Sequence, residues 1–532
     1  MFIALPVAVP IVAVLLTFFA PHSEVWQHLY ESVLFEYILN TIALLLAVGV
    51  LACLFGVSTA WLVATQEFPG RRWFAWLLML PIAAPAYVVA YAYADFLSYV
   101  GPVQSTLREL AILSGPMPSI RSLPGAAVVL SLTLYPYIYL FAYNAFSQQA
   151  QPLAEAARTL GASPARAFWR VALPHARPAI AGGTALALME TAADFGVVNF
   201  FGVPTLTNGV FRTWYAQGEQ LAAMQLAGWL FAVVAVLVIF EQMARRGSYA
   251  NPVSRNTGAV RKRQTGLRGT VCMLVCFVPL TLGFALPAVI LSWHAVTVGD
   301  PLLGPRFVAY ITNTLTVAGI AALLAVACAV WLAYANRRHH QQGSRLLTVS
   351  VRLATLGYAL PGMVLAVGLI GPLTTLDKWL AEYVNPILGL PSALLLTGSA
   401  ASLIFVYLAR FLTVAYNSCD GGMTRVHSNY DNAARSLGAG PLNVLKRIHL
   451  PIMAPSILTA LLLVFVDVVK ELPATLILRP FNFETLATRA YRLASDERIA
   501  EASTAALLII VVGLIPAGII AWQNFFRPQR QA

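Results

Sequence analysis

Runs of about 20 apolar residues recur along nearly the whole chain, and this recurrence limits the possible folds more than any motif does. A helix needs roughly 20 predominantly apolar residues to cross a bilayer, where lipid offers the backbone no hydrogen-bond partner. Twelve spans are expected, near residues 3–20, 35–64, 73–96, 124–146, 179–200, 223–243, 269–292, 309–335, 349–373, 391–415, 456–478 and 502–523. Little remains for a water-soluble domain. Composition agrees, since 59% of the residues are hydrophobic and only 11% are charged, against about a quarter charged in soluble proteins. The expected fold class is an all-α integral membrane protein. The first apolar run has no basic leader and reads as a helix, not as a cleaved signal.

A net charge of +12 raises the question of nucleic acid, but in a membrane protein the distribution of Lys and Arg between loops comes first. With twelve spans both termini fall on one side. That side carries 24 Lys/Arg, at Arg71 and Arg72, from Arg158 to Arg177, from Arg245 to Arg268, from Arg337 to Arg352, from Arg410 to Arg447, and at Arg527 and Arg530. The other side carries nine, and Lys470 stands alone within a span. The richer side is expected to be cytoplasmic, and no nucleic-acid partner is needed. Cys53, Cys272, Cys276, Cys328 and Cys419 lie in or beside spans without metal-ligand spacing and read as packing residues.

The stretch from Ala244 is rich in Gly, Pro, Ser, Asn and Arg and reads as a cytoplasmic linker over 244–268. On either side the chain repeats itself. "LNTIALLLAVG" at Leu39 is echoed by "TNTLTVAGIAA" at Thr312, and "APAYVVA" at Ala84 by "LPGMVLA" at Leu360. Residues 1–243 and 269–532 are thus expected to be two six-span halves. An even number of spans makes them parallel repeats about an axis along the membrane normal, with a transport route between them. Pro81, Pro85 and Pro361 are expected to kink spans. The tyrosines of "AYVVAYAYADF" from Ala86 read either as interfacial anchors or as gate lining.

Two charged loops interrupt the apolar pattern, "EAARTLGASPARAFWRVALP" from Glu155 and "NAARSLGAGPLNVLKRIHLP" from Asn432, related by a gapless offset of 277 residues. Each reads as a short helix with paired alanines, ended by a glycine, Gly161 or Gly438. A second helix follows, opened in the first copy by Ser163 before Pro164 and expected to stop at Pro174. Topology alone would require Lys or Arg, not glycine, proline and paired alanines at fixed offsets.

These residues resemble the cytoplasmic loop of binding-protein-dependent ABC transporter permeases. The first copy matches that family's pattern at Glu155, Ala156, Ala157, Gly161, Val171, Leu173 and Pro174. The second matches at Ala433, Ala434, Gly438, Leu450 and Pro451, with Asn432 where the family has Glu and Asp431 supplying an acid one position earlier. The resemblance implies coupling loops, 152–174 and 429–451, that dock on two cytoplasmic ATPase subunits, with Arg158, Asp431 and Arg435 among the contacts. It also implies a periplasmic substrate-binding protein, a bacterial inner membrane location and the two-half fold of type I importers. No Gly-x-x-x-x-Gly-Lys-Ser/Thr run occurs in the chain, so no phosphate-cradling loop of that kind is present. ATP and Mg are expected on the partner subunits, with no enzyme activity or bound cofactor in this chain.

Acids follow both loops at the same offset, Glu190 and Asp194 in one copy, Asp467 and Glu471 with Lys470 in the other. Ionisable groups at membrane depth normally face a cavity or a partner. Four acids against one lysine would favour a cation, and a hard metal ion suits oxygen ligands. The alternative is structural pairing of Lys470 with Asp467 or Glu471. The runs "LMETAADFGVVNFFG" and "KELPATLILRPFNFETLATRAY" further resemble the two-half permeases of ferric-iron uptake. Permeases for thiamine, polyamines, phosphonates and sulfate share the scaffold, and an ion-gradient-driven transporter is the alternative from another class. The five charged residues are pathway candidates, with no metal ligand assigned.

Overall fold

Apolar residues without period-two alternation fold as helices throughout the computed structural model, which describes residues 5–18, 20, 24–112, 114–147, 156–245, 262–339, 345–384, 387 and 395–521. Glu155, both chain ends, His340 and most of the linker lie outside the described residues. Among those described, β structure is limited to Gln66–Glu67 paired in parallel with Lys262–Arg263.

Nine described helices are long and apolar enough to cross a membrane, or ten if one bent pair counts as a span. Three of the twelve expected spans fall short for separate reasons. The first helix, Leu5–Phe18, has 14 residues among those described. The span expected at 73–96 is broken, its pieces Arg71–Ala83 and Ala86–Phe96 meeting at 90°. The span expected at 179–200 is helix Leu173–Ala193, which carries His175, Arg177 and Glu190 beside Gly182 and Gly183 and is not among the nine.

The prolines sit at such breaks. Pro81 lies in the 3₁₀ turn Leu80–Ala83, Pro85 caps Ala86–Phe96, and Pro361 caps Gly362–Trp379 after the turn Gly357–Ala359. A proline lacks the N–H that a helix interior would use, so a helix start is where it fits without loss. The tyrosines after Pro85 are enclosed by the protein. Tyr87, Tyr91 and Tyr93 are buried in a helix that is enclosed from Tyr87 to Ala94.

Two compact units share the chain in interleaved segments. One comprises Leu29–Gly209, Ala232–Pro301 and Ala490–Ala532, the other Met1–His28, Val210–Phe231 and Leu302–Arg489. The sequence halves and the compact units are therefore different divisions of the chain.

In the first unit, Ile138 is fully buried on helix Leu123–Ala145. A Cβ on Gly56 would lie 2.8 Å from its Cβ, and one on Gly183 2.9 Å from its Cα. These glycines let helices Leu34–Thr65 and Leu173–Ala193 approach as closely as backbone allows, the usual means of packing helices where lipid supplies no hydrophobic drive. In the second unit, a Cβ on Gly368 of Gly362–Trp379 would meet the Pro10 carbonyl at 2.6 Å, and one on Gly422 the Ser456 side chain at 2.7 Å.

Candidate functional site

Both loops close with the same turn. After the helical residues 156–159, Gly161 N–H donates to the Arg158 carbonyl and Ala162 N–H to the Ala157 carbonyl, each at 3.0 Å. After helix Ser428–Ser436, Gly438 N–H donates to Arg435 and Ala439 N–H to Ala434, again at 3.0 Å. This pair of bonds is a Schellman ending, which needs a left-handed residue after the helix. Gly161 has φ +90° and Gly438 +75°, a region glycine enters without steric penalty.

The chain then re-enters a helix at Pro164 and at Pro441. The expected stop at Pro174 does not occur. Leu173 N–H reaches back to the Phe168 carbonyl and Leu450 N–H to Leu445, so a π turn (Phe168–Ala172, Leu445–His449) carries each helix into Leu173–Ala193 and Leu450–Val469. Pro174 and Pro451 are each the second residue after the π turn, inside the continuing helix.

Exposure repeats with the geometry. Ala156 and Ala433, Arg158 and Arg435, and Pro174 and Pro451 are exposed, while Leu173 and Leu450 are half-buried. Ala157 is half-buried and Ala434 buried. At the tips Leu160 is 89% exposed and Leu437 87%. A lone Leu before a turn carries no distinguishing signal in the sequence, so these two matched positions emerge only from the structure.

The two loops are moored differently. In the first, the Phe168 ring lies 4.8 Å from Trp61, which also meets Phe146 at 5.2 Å. In the second, Asp431 has partners within the chain. It is buried, accepting from Arg337 Nε at 2.9 Å and pairing with His449 Nε2 at 2.6 Å. Arg337 also donates to the Met423 carbonyl at 2.8 Å, and Tyr334 donates to the Pro441 carbonyl at 2.8 Å. Asp431 thus ties the loop to helix Pro305–His339, while its neighbour Asn432 is exposed.

Burial pushes the Asp431 carboxyl up, but the hydrogen bonds and charges of His449 and Arg337 hold it below the usual carboxylate range. A carboxyl with a depressed folded pKa gives stability that is complete above the unfolded value, about 3.9, and lost as pH falls through the folded value. The difference in Tm between the wild type and Asp431→Asn should shrink as pH falls below about pH 4. A difference that vanished between pH 7 and 5 would place the titration on another group.

The acids after the loops cap broken helices. Asp194 Oδ1 accepts from Val197 N–H at 3.0 Å and Val198 N–H at 3.3 Å, at the start of Gly196–Phe200. Glu471 accepts from Ala474 N–H and Thr475 N–H, each at 3.2 Å, at the start of Pro473–Leu478. The same acid thus bonds three and four residues ahead in both copies. Glu471 also meets Arg410 at 2.9 Å, their side chains 2% and 7% exposed, while Lys470 pairs with Asp467 at 2.8 Å.

The expected excess of negative charge therefore does not hold in the second copy, where two acids face two cations. Arg410, assigned from sequence to the cytoplasmic side, lies buried within helix Ala400–Met423. Glu190 is half-buried. A Cβ on Gly362 would lie 2.5 Å from both Arg410 Nη1 and Glu471 Oε1. Gly362→Ala should consequently destabilise the chain by roughly 1–3 kcal/mol in detergent unfolding, as other overpacked sites do; a neutral result would show that the pair moves freely.

The sequence of the family described as "Binding-protein-dependent transport system inner membrane component" matches residues 52–240 and again 325–525. The chain belongs to this family. Each matched segment of the inner membrane component contains one loop and one capped helix break. It is 25% identical over 497 residues to the Fe(3+)-transport system permease protein FbpB 2 of Haemophilus influenzae, covering 92% of this chain and 90% of that protein. It is 24% identical to the ferric transport system permease protein FbpB of Actinobacillus pleuropneumoniae, over 93% of this chain and 72% of the relative. A shorter similarity, 29% over 33% of this chain and 64% of the relative, links it to the spermidine/putrescine transport system permease protein PotB of Escherichia coli. As an inner membrane component the chain is a multi-pass transport subunit, and the two family matches account for its internal repeat.

Proposed function

We propose that this chain is the permease subunit of an ATP-driven importer that passes ferric iron from a periplasmic binding protein into the bacterial cytoplasm by alternating access. The observation that carries the importer reading is the loop built twice, with the same turn and with matching exposure at most positions, the leucine tips included. Two cytoplasmic ATPase subunits, which bind ATP and Mg, dock on Ala156, Ala157, Arg158, Leu160 and Gly161 in one copy and on Ala433, Arg435, Leu437 and Gly438 in the other. Leu173, Pro174, Leu450 and Pro451 then pass the movement into the spans. Glu155 and Asn432 make the copies unequal in charge, and Asp431 positions the second loop from within.

Iron as cargo is supported by the names of two relatives similar over about nine-tenths of this chain. Glu190, Asp194 and Asp467 would offer hard oxygen atoms along the route, with Asp194 and Glu471 also fixing the helix breaks. Polyamine cargo is the second reading, supported by the shorter similarity to PotB.

Uptake of radiolabelled ferric iron by iron-starved cells expressing this chain with its ATPase and binding protein tests both levels. Accumulation should disappear with a hydrolysis-dead ATPase and persist with excess spermidine or thiamine. ATPase-dependent uptake of spermidine without iron would overturn the cargo. Uptake driven by a proton or sodium gradient with no ATPase would overturn the importer.

A further inference from the structure

Beside the second loop lies a cleft of about 300 Å³ lined by Tyr334, Arg337, Arg338, Asp431, Arg435 and His449, among others. Its charges do not cancel. Both oxygens of Asp431 are engaged, one by Arg337 and the other by His449, so Arg337 is neutralised. Arg338 and Arg435, both exposed, have no ion pair among the described residues. The Nδ1 atom of His449, a residue 1% exposed, is buried and has no hydrogen-bond partner among the described residues. Two guanidinium groups without an ion pair among the described residues therefore border one concave space beside His449.

We infer that this cleft is a binding site for a phosphoryl group. A guanidinium presents a planar fork of donors that matches phosphate oxygens two at a time, and two forks match a dianion with three oxygens. The volume stands at the lower end of the range for ligand pockets, about 300–1,000 Å³, enough for phosphate with a small attached group. The chemistry is common to free phosphate and to the headgroup of an anionic lipid. A bound phosphoryl group bridges Arg435 of helix Ser428–Ser436 and Arg338 of helix Pro305–His339, adding a second tie between the same two helices that Asp431 and Arg337 already join. The assignment rests on the cleft alone and is independent of the cargo.

The test uses the full chain in neutral detergent, comparing the wild type with Arg338→Gln/Arg435→Gln. Inorganic phosphate is titrated against chloride at constant ionic strength by calorimetry, and phosphatidylglycerol retention is counted by native mass spectrometry. Loss of charge-assisted hydrogen bonds should weaken phosphate binding at least about tenfold in the variant if the source is free phosphate. If the source is a lipid, phosphate will not discriminate, and the wild type will retain one more phosphatidylglycerol than the variant. Arg338→Lys/Arg435→Lys, which keeps the charge and loses the forks, should fall between the two. Equal behaviour of the wild type and the glutamine variant toward both probes overturns the site. Iron uptake can fail or succeed without altering any of these readings.

Discussion

Glu471→Ala should destabilise the chain by about 3–5 kcal/mol, the range for removing one partner of a buried ion pair. The substitution leaves Arg410 charged in a site where its side chain is 7% exposed, and also frees the Ala474 and Thr475 N–H groups that Glu471 receives. Glu471→Gln keeps an acceptor for the cap and should lose less. The informative variant is the double one, Arg410→Met/Glu471→Gln. With no charge left buried, it should be distinctly more stable than the sum of its single changes. Unfolding midpoints in a single mild detergent would measure all four corners of the cycle. Simple additivity would mean that the pair contributes nothing beyond its separate hydrogen bonds.

Leu160→Asp/Leu437→Asp should do the opposite, leaving stability within about 0.5 kcal/mol of the wild type, as expected for surface changes, while abolishing uptake. Both side chains stand almost wholly in solvent within this chain, so nothing internal is lost. If they fill pockets on the ATPase subunits, each behaves as an interface anchor, and losing two such contacts weakens association by at least about a hundredfold. Co-purification of the ATPase with the membrane-inserted chain measures association, and Tm measures folding. Undiminished association would remove the docking role from both loops.

The loops were legible because their geometry is local. Glycine after paired alanines, and proline one residue after a capping serine, state a turn within a dozen positions. The mooring of Asp431 was not legible, since its partners lie 94 residues before it and 18 after it. A single arginine near the end of an apolar run, as Arg410 is, looks like a membrane flank, and its pairing with Glu471, 61 residues further on, carries no local signal. The caps at Asp194 and Glu471 were within reach, because an acid two residues before a helix start, with its oxygens in reach of the first free N–H groups, is itself a capping signal. Their place in an apolar run drew attention to charge instead. The twelve-span expectation rested on apolar length, which does not register a 90° break or a 14-residue helix.

The π turns before Pro174 and Pro451 set a phase. Each places one residue more in a turn than an α-helix would, and in an α-helix one residue is worth about 100° of rotation. The loop and the span it continues into are therefore keyed like two shafts on a coupling. Deleting one residue within Phe168–Ala172 would convert that turn to an ordinary α-helical one, leaving the composition of loop and span otherwise intact. The face bearing Leu160 would then be turned about a quarter of a revolution away from the direction in which the span is set. The register of the joint, no less than its surface, is written into these five residues.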